Sequence, residues 1–156
     1  IACASSLHFD AEDGKWSDDA QAIQSRELIA NFIDEACNAY KLDATNVTLL
    51  GFSQGAILSY AVALSYPEKV KNIIALSGYV NQSIITEDYK DKDYTNISFY
   101  CSHGSVDQVI PVDWARKTAP FLEALQIKHI YEEFPVGHGV APQNFYSLLN
   151  WLKERI

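Results

Sequence analysis

The pentapeptide Gly51-Phe52-Ser53-Gln54-Gly55 follows an apolar run at residues 47–50 and precedes a stretch of small and apolar residues at 56–66. This pattern predicts a strand, a sharp turn and a helix, with the serine at the turn. A strand that reverses directly into a helix brings the main chain close to itself, so Gly51 and Gly55 are expected to leave the necessary space. The turn would hold the Ser53 hydroxyl at the positive end of the helix dipole, as a nucleophilic serine requires. The same pentapeptide also occurs in ordinary turns with a hydrogen-bonded serine.

A nucleophilic serine needs a histidine base and a carboxylate that orients the histidine, because its hydroxyl is a weak nucleophile at neutral pH. Asp107 lies on a loop after the apolar run 97–101, and His138 lies between two glycines after the run 130–134. Both therefore fall at the carboxyl ends of predicted strands, where open α/β sheets keep their active sites. Taken singly, each is equally typical of a turn. Together, the order Ser53, Asp107, His138 is that of the α/β-hydrolase triad.

Four segments carry a resemblance to a known family, namely 51–55, 76–79, 103–111 and 137–140. They resemble the carboxylesterase, lysophospholipase and acyl-protein thioesterase family of serine α/β-hydrolases, over roughly residues 10–156. The resemblance implies hydrolysis of carboxylic esters or thioesters through an acyl-serine intermediate, without a metal ion or an organic cofactor. It also implies that the backbone N–H of Gln54 is one donor of the oxyanion hole.

The other oxyanion donor of the family comes from a His-Gly-x-Gly-Asp loop in an N-terminal half that this sequence lacks. Three sources are open: residues 1–9 folded over the site, a donor from a neighbouring subunit, or a single donor that suffices for activated esters. The sequence begins with Ile1 and contains no methionine. We interpret it as a processed or truncated product, or as a chain whose start is not shown.

Composition and charge narrow the class of protein. A length of 156 residues, 48% of them hydrophobic, predicts a single domain. The resemblance implies that this is one α/β-hydrolase domain over 1–156, with 1–10 as an N-terminal segment that could add an edge strand. A net charge of −8 argues against a nucleic-acid partner, and no apolar run is long enough for a membrane span. The three widely separated cysteines argue against a disulfide framework or a metal site and favour a cytoplasmic location.

The predicted fold class is α/β: a truncated α/β-hydrolase fold with a mainly parallel sheet and helices on both faces. The predicted strands are 47–50, 73–76, 97–101 and 130–134. The predicted helices begin at Ser17, follow Ser53, and cover 114–125 and 144–155. Strand 47–50 would present an apolar edge, so we expect residues 1–9 to pair there or two chains to form a homodimer.

The predicted function is that of a serine carboxylesterase acting on small-molecule, short-chain carboxylic esters or thioesters. Phe52, Val109 and Val140 flank the predicted catalytic positions and are candidates for an acyl pocket, although core packing explains Phe52 better. His103 is expected to make a structural hydrogen bond at a strand end. The alternative is a truncated, non-catalytic hydrolase-like module for binding or assembly, with an incomplete oxyanion hole.

Overall fold

Four parallel strands, hydrogen-bonded in the order β1-β2-β3-β4, form the sheet that positions the site. The computed structural model of the chain describes residues 18–156, so the predicted N-terminal edge strand in 1–10 lies outside the described residues. The strands are β1 (Thr48–Phe52), β2 (Asn72–Leu76), β3 (Ser98–Gly104) and β4 (Lys128–Phe134). The predicted parallel sheet is confirmed.

The described helices are α1 (Asp19–Tyr40), α2 (Gln54–Ser65), α3 (Val112–Ala115), α4 (Thr118–Ala124) and α5 (Pro142–Lys153). Helix α1 is capped by Asp18, whose side chain accepts the N–H of Gln21 at 3.2 Å, while the predicted start at Ser17 lies outside the described residues. The predicted single helix over 114–125 is wrong, because the chain forms α3 and α4 instead. Pro120 has no N–H for the carbonyl four residues earlier, which prevents one continuous helix there.

The two faces of the sheet are covered by different helices. Alternate side chains of a strand point to opposite faces, and those of β2 and β3 divide accordingly. Ile73, Ala75, Phe99 and Cys101 pack in one core cluster with residues of α1, α2 and α4. Ile74, Leu76 and Tyr100 pack in another cluster, with Leu148 and Trp151 of α5. The prediction of helices on both faces is therefore confirmed.

The outer edge of β1 is open within the described part of the chain, since β1 pairs there only with β2. Leu50 is 62% exposed on this strand, and Phe32 is 54% exposed on the neighbouring α1. Between α1 and β1 lies an apolar groove of about 920 Å³ that extends to Ser53. The apolar edge expected from the sequence is present in residues 18–156. That residues 1–9 or a second chain cover this edge remains a prediction.

Candidate active site

Ser53 occupies a strained turn between β1 and α2. Its backbone has φ 55° and ψ −120°, a conformation that residues with a side chain rarely adopt. The turn is held because the Ser53 N–H donates to the carbonyl of Leu76 at 2.8 Å. A Cβ at Gly51 would lie 2.2 Å from the carbonyl oxygen of Gly55, so Gly51 is required for space. The same argument is wrong for Gly55, where a Cβ would meet nothing within 4 Å.

The structure brings the three predicted catalytic residues together at one end of the sheet. His138 Nδ1 lies 2.7 Å from Asp107 Oδ2, and His138 Nε2 lies 2.9 Å from Ser53 Oγ. A carboxylate can only accept a hydrogen bond, so the proton of a neutral His138 ring is on Nδ1 and donates to Asp107. The Nε2 lone pair is then free to accept the Ser53 hydroxyl proton. This is the arrangement that general-base activation of a serine requires.

Asp107 is fixed as a carboxylate by its surroundings. Its side chain is fully buried, and Oδ1 accepts the backbone N–H groups of Val109 at 2.8 Å and Ile110 at 3.0 Å. Burial alone would raise the pKa of Asp107, but the hydrogen bonds from His138, Ile110 and Val109 outweigh burial and lower that pKa. The side chain is therefore negatively charged at neutral pH and faces His138 in a fixed orientation.

The loop that carries His138 approaches the end of β3 very closely. A Cβ at Gly104 would lie 2.1 Å from the carbonyl oxygen of Gly137 and 2.3 Å from that of Val136. The two loops are joined there by backbone hydrogen bonds, including one from the Val106 N–H to the Val136 carbonyl at 3.2 Å. Sequence reasoning missed this role of Gly104, because the contact joins segments that are distant along the chain.

The glycines that flank His138 are less constrained than the sequence suggested. A Cβ at Gly137 would have its nearest neighbour at 4.0 Å, and one at Gly139 would meet nothing within 4 Å. The close approach of the two loops that places His138 therefore depends on Gly104 rather than on Gly137 or Gly139.

Phe52 contacts the imidazole of His138, with ring centroids 4.9 Å apart, and it is 41% exposed. Core packing, which seemed the better explanation of this residue, is therefore wrong. Phe52 lines the groove, whereas the lining does not include Val109 or Val140. Gln54 is the first residue of α2, so its N–H belongs to the turn that carries the positive end of the helix dipole beside Ser53.

Within residues 18–156, no three histidine, cysteine or acidic side chains lie together in a way that would hold a metal ion. Cys37 and Cys101 are buried free thiols. None of the described helices combines the length and the apolar character needed to cross a membrane.

Comparison with known proteins identifies a matching family and several relatives. The model of the phospholipase and carboxylesterase family matches residues 6–156. A probable carboxylesterase of Arabidopsis thaliana, SOBER1-like, is 27% identical over 92% of this chain and 55% of its own length. Acyl-protein thioesterase 1 of Candida albicans is 28% identical over 85% of this chain and 59% of its own length. The chain thus spans somewhat more than half the length of these two relatives.

Solved structures show the same fold. The carboxylesterase of Bacillus cereus superposes with a TM-score of 0.80 at 18% identity, over 89% of this chain and 64% of its own. Esterase PE8 superposes with a TM-score of 0.77 at 26% identity, over 88% of this chain and 63% of its own.

Proposed function

The chain belongs to the phospholipase and carboxylesterase family, and from that membership we propose that it is a serine esterase that hydrolyses short-chain carboxylic esters or thioesters. The observation that carries the proposal is the hydrogen-bonded series from Asp107 through His138 to Ser53, with distances of 2.7 and 2.9 Å. In this proposal Ser53 is the nucleophile, His138 is the general base and Asp107 is the group that orients the base.

In the first half of the reaction, the Ser53 oxygen attacks the carbonyl carbon of the ester while His138 Nε2 takes the hydroxyl proton. The carbonyl oxygen becomes an oxyanion, which the N–H of Gln54 stabilises at the start of α2. The tetrahedral intermediate then collapses, the bond to the alcohol or thiol breaks, and His138 gives its proton to the leaving group. An acyl group remains on Ser53.

In the second half, a water molecule gives a proton to His138 and attacks the acyl carbon. The bond to Ser53 breaks, the carboxylic acid leaves, and the proton returns from His138 to the serine oxygen. Throughout, the buried carboxylate of Asp107 compensates the positive charge that develops on the imidazole. Neither half of the cycle uses a metal ion or an organic cofactor.

The groove beside Ser53 supports a small substrate with a short acyl chain. Phe52 provides an apolar wall next to the serine, but Leu50 and Phe32 further along the groove are 62% and 54% exposed. Each methylene group contributes binding free energy only when it leaves water, about 0.8 kcal/mol for full burial. An open groove therefore gains little from a longer chain.

The test is hydrolysis of p-nitrophenyl esters from acetate to laurate by the wild-type chain and by Ser53→Ala prepared in the same way. We expect serine-dependent turnover that declines as the acyl chain lengthens, and covalent labelling of wild type alone by a fluorophosphonate. Equal rates for both proteins together with no labelling would contradict the proposal and favour the non-catalytic binding module. Loss of one oxyanion donor costs on the order of a hundred- to a thousandfold in turnover. These esters have good leaving groups, so their hydrolysis should remain measurable even if one donor is missing.

For the open edge of β1 we propose a covering by residues 1–9 or by a second copy in a homodimer. The support is the exposed apolar surface along that edge, including Leu50. Light scattering that shows a stable monomer at high concentration would contradict the dimer. We further propose a single domain over 1–156 and a cytoplasmic location. The two buried free thiols, Cys37 and Cys101, are compatible with a cytoplasmic location.

A further inference from the structure

His103, near the end of β3, is a buried histidine in contact with Asp107. Its side chain is fully buried, and its Nε2 lies 2.9 Å from the carbonyl oxygen of Ile110 and 3.3 Å from Asp107 Oδ2. Its Nδ1 is buried without a hydrogen-bond partner. The hydrogen bond to Ile110 agrees with the structural role expected from the sequence, whereas the contact with Asp107 was not expected.

The surroundings of the ring determine which nitrogen of a neutral His103 carries the proton. Both neighbours of Nε2 are oxygens that can only accept, so Nε2 bears the hydrogen and donates it to the nearer one, the carbonyl of Ile110. The other tautomer would direct the Nε2 lone pair at a carbonyl and a carboxylate, and it would bury an N–H at Nδ1 without an acceptor. The ring therefore donates its one N–H to the carbonyl of Ile110, with Asp107 Oδ2 beside it at 3.3 Å.

The carboxylate oxygen that His103 approaches is the one that serves His138. Asp107 Oδ1 is held by two backbone N–H groups, whereas Oδ2 accepts from His138 Nδ1 at 2.7 Å and faces His103 Nε2 at 3.3 Å. Asp107 is therefore oriented from the Ile110 side through Oδ1 as well as from His138 through Oδ2.

We propose that His103 is a positioning residue for the esterase reaction: its Nε2–H bonds the carbonyl of Ile110 and so fixes the loop whose Ile110 N–H holds Asp107 in the orientation from which the carboxylate aligns His138. The inference rests on the proposed function, because the alignment matters for turnover only if Ser53 is the nucleophile. Ile110 is the link, because its carbonyl accepts from His103 and its N–H donates to Asp107 Oδ1, which couples the shape of the 104–110 loop to the carboxylate.

Two amide substitutions separate positioning from simple filling of space. In His103→Gln the amide nitrogen can reach the place of Nε2, whereas in His103→Asn it lies near Nδ1, where the structure offers no partner. We expect kcat for p-nitrophenyl acetate to fall roughly tenfold in His103→Asn with KM changed less than about twofold, because the loop that orients Asp107 loses its hydrogen bond to His103 and the barrier rises. His103→Gln should stay within about threefold of wild type. Equal losses in the two variants would overturn the proposal.

A double-mutant cycle with Asp107→Ala tests whether His103 acts through the carboxylate. If it does, His103→Asn should cost little further activity once Asp107 is alanine, whereas a purely structural role would cost the same factor in both backgrounds. Rates are expressed per folded molecule, from circular dichroism and the melting temperature of each variant.

A spectroscopic measurement keeps the inference testable without turnover. The low-field proton resonance of the bond between His138 and Asp107 should persist in His103→Gln and broaden or vanish in His103→Asn. An unchanged resonance in a folded His103→Asn would overturn the positioning role. If the proposed function is wrong, wild type and Ser53→Ala should hydrolyse the ester at equal rates. In that case the resonance still tests whether His103 positions Asp107.

Discussion

Replacing Gly104 by alanine should displace the loop that carries His138. The added methyl group would lie 2.1 Å from the carbonyl oxygen of Gly137, so the two loops must separate by about 1 Å to restore van der Waals contact. His138 Nδ1 is 2.7 Å from Asp107 Oδ2. A shift of that size would stretch this contact to as much as about 3.7 Å, where it is no longer a hydrogen bond.

The expected loss in kcat/KM of Gly104→Ala is about a hundredfold, the usual cost of a 1 Å misplacement of a catalytic group. The crowded methyl group should also destabilise the fold by about 1 to 3 kcal/mol, which corresponds to a fall of roughly 3 to 10 °C in melting temperature. Both quantities are measured on the same preparation, by p-nitrophenyl acetate hydrolysis and by thermal unfolding followed by circular dichroism.

Gly139→Ala is the matched control for this substitution. It adds the same methyl group beside His138, but that group would meet nothing within 4 Å. We expect its melting temperature within about 2 °C of wild type and its kcat/KM within about threefold. A Gly104→Ala variant that behaves like this control in both measurements would refute the reasoning, because it would show that the loops do not depend on their close approach.

Three further predictions concern the carboxylate, the groove and the α5 face. Because the pKa of Asp107 is lowered in the fold, its charge stabilises the folded state above its ordinary pKa, and this stabilisation is lost as the pH falls through the lowered value. Denaturant titrations at several pH values should therefore show that the unfolding free energy of Asp107→Asn declines less than that of wild type between about pH 5 and pH 3. Phe52→Ala, which removes the ring in contact with His138, should reduce kcat/KM about three- to tenfold in the ester assay, while Leu50→Ala in the same groove should change it less than about twofold. Asn144→Ala removes an amide that bonds two buried hydroxyl groups, at 2.9 and 3.0 Å, and should lower the unfolding free energy in urea by about 2 to 3 kcal/mol.

Local patterns in the sequence were sufficient for the positions of the four strands along the chain and for their parallel direction. The apolar run at 47–50 directly precedes the turn at Ser53 in the sequence, so steric reasoning over a few residues identified the need for Gly51. The same reasoning overestimated Gly55, because the space around a helical residue depends on what packs against the helix.

Features that depend on long-range packing were not predictable in this way. The contact of Gly104 with the loop before His138 requires knowledge of how closely two strand ends approach. The exposure of Phe52 depends on what covers the edge of β1, and an apolar residue in a strand otherwise predicts a core position. By contrast, the division of the 112–124 region into two helices was predictable from Pro120, because proline disfavours a continuous helix.

The strand order has a consequence for how the chain folds. Ser53 and His138 are 85 residues apart in sequence, at the ends of β1 and β4, which are the two outer strands of the described sheet. Contacts of such long range form late, because the intervening chain must be ordered first. If Ser53 is the nucleophile, as proposed, we expect it to meet its base only when the last strand has joined, so that during refolding the recovery of a reactive hydroxyl should mark the completion of the sheet.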